Sequence, residues 1–381
     1  MDIEALLTTS GQAALSAAMA LGEADPLVAA SRLRADGHDP ALAAAALTQA
    51  RLRERAVAKF GERAASMYFT PDGLEQATRP AVAARRAARF AAAGATRIAD
   101  LCCGIGSDLT AFTEAGLAAT GVDLSPGTVA AARLNAPGAE VVCGDVTTFP
   151  LDGFDAAFCD PARRAGGRRV FDPSAYSPPW PFLLSLAERI PRTGVKVAPG
   201  IGHELVPAGA EAEWVSVGGD VVEAALWFGP FASADRRATL LPSGAALTGS
   251  GERRAGTGPL RRWIYDPDGA VVRSHLVAEL ADLLGANLVD PSIAYLTSDD
   301  PVDTPFARRY EVTGVLGFSV KRLRALLAAR GVGRLTIKKR GSAVTPEQLR
   351  PQLKLRGDRE ATVFLTRIAG APSMILSDPP G

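Results

Sequence analysis

Four cysteines and three histidines are few for a chain of 381 residues, and neither set is spaced for a metal centre. Cys102, Cys103, Cys143 and Cys159 form no CxxC pair and fall in expected strands or at their ends, which suits small buried hydrophobes better than disulfides or thiolate ligands. His38, His203 and His275 are dispersed, so no metal is expected. No apolar run reaches the roughly 18 residues of a membrane span. Met1 to Ala20 carries Asp2 and Glu4 where a secretory leader carries basic residues, and a cytoplasmic protein without a membrane partner is expected. With 47% hydrophobic and 22% charged residues the composition is that of a soluble globular protein, long enough for two or three domains.

Overall charge is also scarce, at +1, but its distribution is uneven. Between Lys321 and Arg367 thirteen Lys or Arg stand against Glu347, Asp358 and Glu360, leaving the rest of the chain acidic. One strongly basic end implies an anionic partner.

Against these absences stands Arg97 to Asp123, RIADLCCGIGSDLTAFTEAGLAATGVD, ordered as strand, glycine turn, helix and strand. Ile98 to Cys103 is an apolar run that breaks into Gly104-Ile105-Gly106, and Ser107 or Asp108 is placed to cap a helix ending at Gly116. Gly104 and Gly106 lack a Cβ, so a ligand can lie against the backbone at the carboxyl edge of the sheet. A dinucleotide fingerprint needs a third glycine three residues after the second, and Leu109 occupies that place. Asp100 suits a ligand with a cation, such as the amine or sulfonium of S-adenosylmethionine, and Asp123 suits two ribose hydroxyls.

Residues 1–92 carry apolar residues at helical spacing, broken at Gly37 to Pro40 and at Thr70 to Gly73, and are expected to form a helical domain in which Phe60, Met67 and Tyr68 pack. Phe69 to Arg79, FTPDGLEQATR, is turn-rich and expected as a loop able to fold over the ligand site. From residue 95, strands near 97–103, 118–123, 140–144, 155–159 and 193–198 alternate with helices near 108–115, 125–135 and 180–190, the mark of a parallel sheet. The runs at 211–218 and 221–229 have too short a link for a crossover helix, so a hairpin ends the sheet. Short strands are expected within 231–257. A strand near 261–266, a turn, a helix near 274–285 and a Pro- and Asp-rich loop follow. The basic end reads strand (310–314), helix (319–330), strand (333–338), helix (345–351), strand (361–367). The expected domains are 1–92, 93–255, 256–309 and 310–381.

Asp145 closes the third strand and Asp160 the fourth, so with Asp100 and Asp123 four successive strands bring a carboxylate to one crevice. Position suggests that Asp100 balances an amine, Gly104 and Gly106 admit a carboxylate and ribose, Asp123 holds the ribose, and Asp145 with the backbone of Val146 reads adenine. Asp160-Pro161-Ala162-Arg163 then stands where an acceptor enters, and His203 lies just past the fifth strand.

DLCCGIGSD, GVDLS, CGD and CDPAR resemble motifs I to IV of the class I S-adenosylmethionine-dependent methyltransferases, over about residues 95–230. FTPDGLEQATR, DPARR and GVGRLTIKKRGSAVTPEQLRPQLKLRG resemble bacterial methyltransferases with a THUMP-like domain at the carboxyl end. The resemblance implies an α/β, Rossmann-like sheet, parallel with an antiparallel hairpin end, between a helical domain and a small α/β module. It implies S-adenosylmethionine as cofactor, held by Asp100, Cys102, Gly104, Gly106, Asp123, Leu124, Asp145 and Val146, with Asp160, Pro161 and Arg163 at the acceptor. RNA, tRNA or rRNA, is the implied substrate, and Lys338, Lys339 and Arg340 would contact its phosphates.

Amino methyltransferases of this kind place an aromatic ring at the end of an Asp-Pro-Pro tetrad, and here the tetrad is Asp-Pro-Ala-Arg. The Arg163 plane, or Phe171, Tyr176 or Trp180, is left to stack on a base. No cysteine follows the fifth strand in KVAPGIGH, which argues against covalent activation of a pyrimidine carbon. Direct in-line transfer to a nucleobase nitrogen is the expectation. The alternatives are methylation of a small molecule or protein, and a non-catalytic RNA-binding protein with a vestigial pocket.

Overall fold

Thr8, Asp25 and Asp39 start the first three helices of the computed structural model, each side chain accepting a backbone N–H of the first turn. These are α1 (Thr9–Ala20), α2 (Pro26–Ala35) and α3 (Pro40–Phe60), followed by α4 (Pro71–Gln76) and α5 (Pro80–Ala92). The structure describes residues 3–22, 24–162, 164–165, 168–169 and 176–379. The chain divides into two compact units, Met1–Ala210 with Ala225–Ser233, and Glu211–Ala224 with Ala234–Gly381.

The first unit continues with β1 (Arg97–Leu101), α6 (Ser107–Glu114), β2 (Ala118–Asp123), α7 (Pro126–Asn135), β3 (Glu140–Cys143) and β4 (Ala156–Cys159). A two-residue pair, β5 (Arg164–Ala165) and β6 (Arg168–Arg169), precedes α8 (Trp180–Arg189) and β7 (Arg192–Val197). The strands run parallel in the order β7-β4-β1-β2-β3. The chain thus builds outward from β1 in one direction and then returns to β4 on its other side. That reversal opens a crevice at the carboxyl ends of β1 and β4. Helix α5 buries Val82, Ala83, Ala87 and Phe90, and Phe90 packs edge-on to Phe112, 5.5 Å between ring centroids.

Helices α1 to α4 are fastened to this sheet unit by polar side chains. Asn135 accepts from Tyr68 N (2.8 Å) and donates to Tyr68 O and to Ile105 O (2.8 Å each). Phe60, Tyr68, Phe69 and Leu74 share a core with Ile105 and Ala131.

In the second unit β8 (Glu211–Val217) leads through Gly218 and Gly219, both at positive φ, into the first part of β9 (Asp220–Trp227), and β10 (Arg236–Leu241) pairs parallel to β8 and antiparallel to β11 (Ala245–Gly249). Then come β12 (Trp263–Pro267), α9 (Gly269–Arg273), α10 (Val277–Leu284), β13 (Asn287–Asp290), β14 (Ile293–Ser298) and β15 (Ala307–Gly317). Last are α11 (Val320–Ala329), β16 (Val332–Lys339), α12 (Pro346–Leu353), β17 (Arg359–Ile368) and β18 (Ala371–Ser377). Seven strands form one sheet in the order β13-β14-β12-β15-β18-β17-β16, which joins residues 256–309 to residues 310–381.

The segment expected as a loop at 69–79 contains α4, because Thr70 caps Gly73 N and Pro71 takes the first helical position. Neither Ser107 nor Asp108 caps α6: Gly106, at φ 85°, precedes the helix, and Asp108 turns inward. The helix expected near 274–285 is α10, and α9 precedes it where only a turn was expected, started by Asp268, which caps Ala270 N. Strands β13, β14 and β18 lie where no strand was expected.

Gly331, Gly333 and Gly357 let two turns cross at the edge of the second sheet. A Cβ on Gly333 would run into the Gly357 carbonyl, and one on Gly357 into the Gly331 carbonyl. Gly333→Ala is expected to cost at least about 2 kcal/mol in denaturant unfolding, as overpacking against backbone does. An unchanged midpoint contradicts the crossing.

Candidate active site

At the crevice between β1 and β4 a cavity of about 290 Å³ is walled by Asp100, Cys102, Gly104, Asp123 and Asp160 from the strand ends, and by Asp72, Gln76 and Thr78 from the α4 segment. Five of the sequence-selected residues therefore converge. Gly104 at φ 57° and Gly106 at φ 85° hold the turn in the left-handed region, and so does Cys102 at φ 61°, an uncommon state for a residue with a side chain. Each Asp123 oxygen already accepts a backbone N–H, from Gly104 (3.1 Å) and Ser125 (2.9 Å).

Other selected residues stand outside the wall. Asp145 is exposed, and the N–H and hydroxyl of Thr147 (2.8 Å each) hold its carboxyl below the usual range. It is nonetheless next to Asp123, whose carbonyl accepts Gly144 N at 3.0 Å. Leu124 is 72% exposed, an apolar side chain left in solvent beside Asp123, whereas Val146 and Pro161 are buried. His203 does not line the cavity. Tyr176 is buried, accepts Ala198 N at 3.1 Å and packs edge-on to Trp180, so neither ring reaches the wall. Arg163 and Phe171 lie outside the described residues. A larger cavity, about 670 Å³, lies against α6 with Phe60, Met67 and Leu134 in its wall. Its single carboxylate, Glu114, is paired with Arg63, whereas the smaller cavity gathers Asp72, Asp100, Asp108, Asp123 and Asp160.

Asp100 is the least accommodated group in the crevice. It is 1% exposed, and neither carboxylate oxygen has a hydrogen-bond partner. Burial raises its pKa well above the usual range, the carboxylates of Asp108 and Asp160 add to this, Arg86 opposes it, and Asp123 contributes last. Such a group attracts a cation or a hydrogen-bond donor. Burial likewise pushes the Cys103 and Cys159 thiols up, so neither is a ready nucleophile.

Around Asp100 runs a polar chain that inspection of the motifs missed. Lys196 on β7, with only 6% of its side chain exposed, donates to Asp160 Oδ2 (2.6 Å) and to Thr78 Oγ1 (3.2 Å). Thr78 donates to Asp108 Oδ2 (2.6 Å), Asp108 pairs with buried Arg86, and the Arg86 guanidinium lies 4.2 Å over the Phe158 ring. The visible signal was a lysine inside the apolar strand VKVA, since an interior cation must have a partner. Lys59 on α3 donates to Leu74 O (2.7 Å) and Glu75 O (3.2 Å) at the end of α4. Its own burial, with Lys196 and Arg79 nearby, brings it down to about 8.

Comparison with known proteins settles the family. Residues 98–164 match a methyltransferase domain, 307–379 a THUMP domain-like module and 1–56 a domain of unknown function. An uncharacterized S-adenosylmethionine-dependent methyltransferase of Mycobacterium tuberculosis strain H37Rv is 39% identical over 336 residues, 85% of this chain and 92% of that one. The chain belongs to the S-adenosylmethionine-dependent methyltransferases. A crystal structure from Porphyromonas gingivalis W83, assigned as a methyltransferase, shares the fold over 99% of both chains, at a TM-score of 0.78 and 22% identity. S-adenosylmethionine is thus the cofactor of this methyltransferase, and the cationic character of that molecule fits the unbonded, buried carboxylate of Asp100. Among the described residues no cluster of His, Cys, Asp or Glu could hold a metal, and no helix is long and apolar enough to cross a membrane.

A carboxyl whose pKa rises on folding costs stability above its unfolded value, near 3.9, and the cost grows as pH climbs to the folded value. Asp100→Asn is therefore expected to stabilise the cofactor-free protein by roughly 1 kcal/mol at neutral pH while weakening cofactor binding. Differential scanning calorimetry with and without cofactor reads both; an apo variant less stable than wild type contradicts the assignment.

Proposed function

We propose that this methyltransferase modifies a nucleobase nitrogen of RNA, tRNA or rRNA, by direct in-line transfer. The observation that carries the reading is the position of Asp160, whose carboxylate shares a cavity wall with Asp100 and Asp123 and is tied at one oxygen to Lys196. In this reading Asp100 faces the methionine amine, Gly104 and Gly106 allow close approach of the cofactor, and Asp123 accepts the ribose hydroxyls. The backbone around Cys102 lines the same turn, and Leu124, Asp145 and Val146 border the adenine. Bound S-adenosylmethionine supplies a methyl group on a positively charged sulfur.

The chain's part is alignment. Asp160, held by Lys196, accepts a hydrogen bond from an exocyclic amine and turns the nitrogen lone pair toward the methyl group. Positioning of this kind carries much of the acceleration of a displacement. Pro161 stiffens the turn, and a guanidinium such as that of Arg163 is the kind of plane that stacks on a base. The THUMP-like match and the basic residues of 321–367 support RNA as the acceptor.

Labelled S-adenosylmethionine incubated with RNA from cells lacking the protein, followed by digestion to nucleosides, is expected to yield a labelled N-methylnucleoside. Asp160→Ala should lower kcat by about a hundredfold or more with cofactor affinity kept. Label in protein or small molecules and none in RNA overturns the proposal.

A further inference from the structure

The tract Lys338-Lys339-Arg340 cannot act as one basic patch, because side chains alternate along a strand. Leu335 and Ile337 of β16 belong to the core beneath α11 and α12, with Leu323, Leu327, Leu349 and Leu353. Lys338 and Arg340 point to the other face. Lys338 donates to Asp266 (2.7 Å) and lies 5.5 Å from the Tyr310 ring centroid, and Arg340 donates to the same Asp266 (2.9 Å), 5.3 Å from Tyr295. Tyr295 and Tyr310 sit in the core of that opposite face. Both cations are thus only partly exposed and share one carboxylate. Lys339, between them, is exposed and directed to the α11 and α12 side.

That helical side carries the free cations. Lys321 and Arg324 on α11, Arg350 on α12, and Lys354 and Arg356 just after it are all exposed. None of the five is in an ion pair among the described residues. Glu347 is the one acid on either helix. Helix α11 enters β16 and α12 leaves it for the parallel strand β17, so the two return against the strand direction and pack side by side. The loop after α12 is fixed in place. Lys354 adopts φ 48°, left-handed for a residue with a side chain, and the crossing of Gly357 over Gly331 and Gly333 holds Arg356 near the end of α11.

We propose that the outer face of α11 and α12, with Lys339, Lys354 and Arg356, is the surface that grips the phosphate backbone of RNA. The inference rests on the RNA reading above and assigns that reading to a face. Exposed cations on two helices that carry one acid between them suit a polyanion bound without sequence recognition. The outward positions of α11 between the cations are Ala325, Ala328 and Ala329, which give an acyl layer nothing to bury, so a membrane surface fits less well.

Fluorescence anisotropy with unfractionated tRNA, titrated across KCl concentrations, tests the assignment in the full chain. The variant Lys321→Glu/Arg324→Glu/Lys354→Glu is expected to bind about ten- to a hundredfold more weakly, with the salt slope reduced by about 3. Its melting temperature and S-adenosylmethionine affinity should match wild type. Lys338→Met, checked for the same melting behaviour, should leave the slope unchanged. Wild type and triple variant binding alike, or the slope falling with Lys338→Met instead, overturns this placement and leaves the RNA reading standing. Wild type that fails to bind tRNA overturns both, and binding to phosphatidylserine vesicles in its place identifies a membrane partner.

Discussion

A buried carboxylate with neither oxygen bonded is the constraint around which the crevice is arranged. Four acids meet at the ends of β1, β2 and β4 and the start of α6, and three have their own compensation. Asp108 has Thr78 and Arg86, Asp160 has Lys196, and Asp123 has two backbone N–H groups. Asp100 has none of these, and its charge is opposed chiefly by burial and by its neighbours. A protein retains such a group against its own stability when binding returns the cost. On the proposed assignment the returning ligand is the cationic cofactor, and the compensated acids then serve geometry.

The same economy of charge explains why the amino-terminal helices belong to the site. Thr78 links Lys196 to Asp108, so the segment between α4 and α5 closes the polar chain from the end of β7 to the start of α6. Gly73 allows α4 to lie on that turn, since a Cβ there would collide with Ile105. Asn135 then locks Tyr68 and Ile105 to one side chain. Sequence, packing and site are one construction here: remove the close approach of α4 and the cavity loses Asp72, Gln76 and Thr78 from its wall.

Much of this was legible before any coordinates. The five parallel strands, their order of acids and the hairpin at Gly218-Gly219 follow from apolar runs ended by turn residues, a strong signal. What escaped was set by partners remote in sequence. Helix α4 is six residues with a proline, a glycine and two acids, and only its cap and its seat on Ile105 make it a helix. Strands β13 and β14 are short and separated by Pro291-Ser292, so their pattern is visible only once paired. Lys196 was visible as a cation in an apolar strand, but its partners lie 36 and 118 residues away. The basic tract at 338–340 is legible as composition, whereas the period of two along β16 decides which of its members face Asp266 and which faces the helices.

The central claim is that Asp100 is the group the cofactor's charge satisfies. Isothermal titration calorimetry of S-adenosylmethionine binding near neutral pH, in two buffers of different ionisation enthalpy, measures the protons exchanged. Burial raises the pKa of this carboxyl and an arriving cation lowers it again, so wild-type binding is predicted to release more protons than binding to Asp100→Asn. Binding without proton release, or the same release in both proteins, contradicts the account.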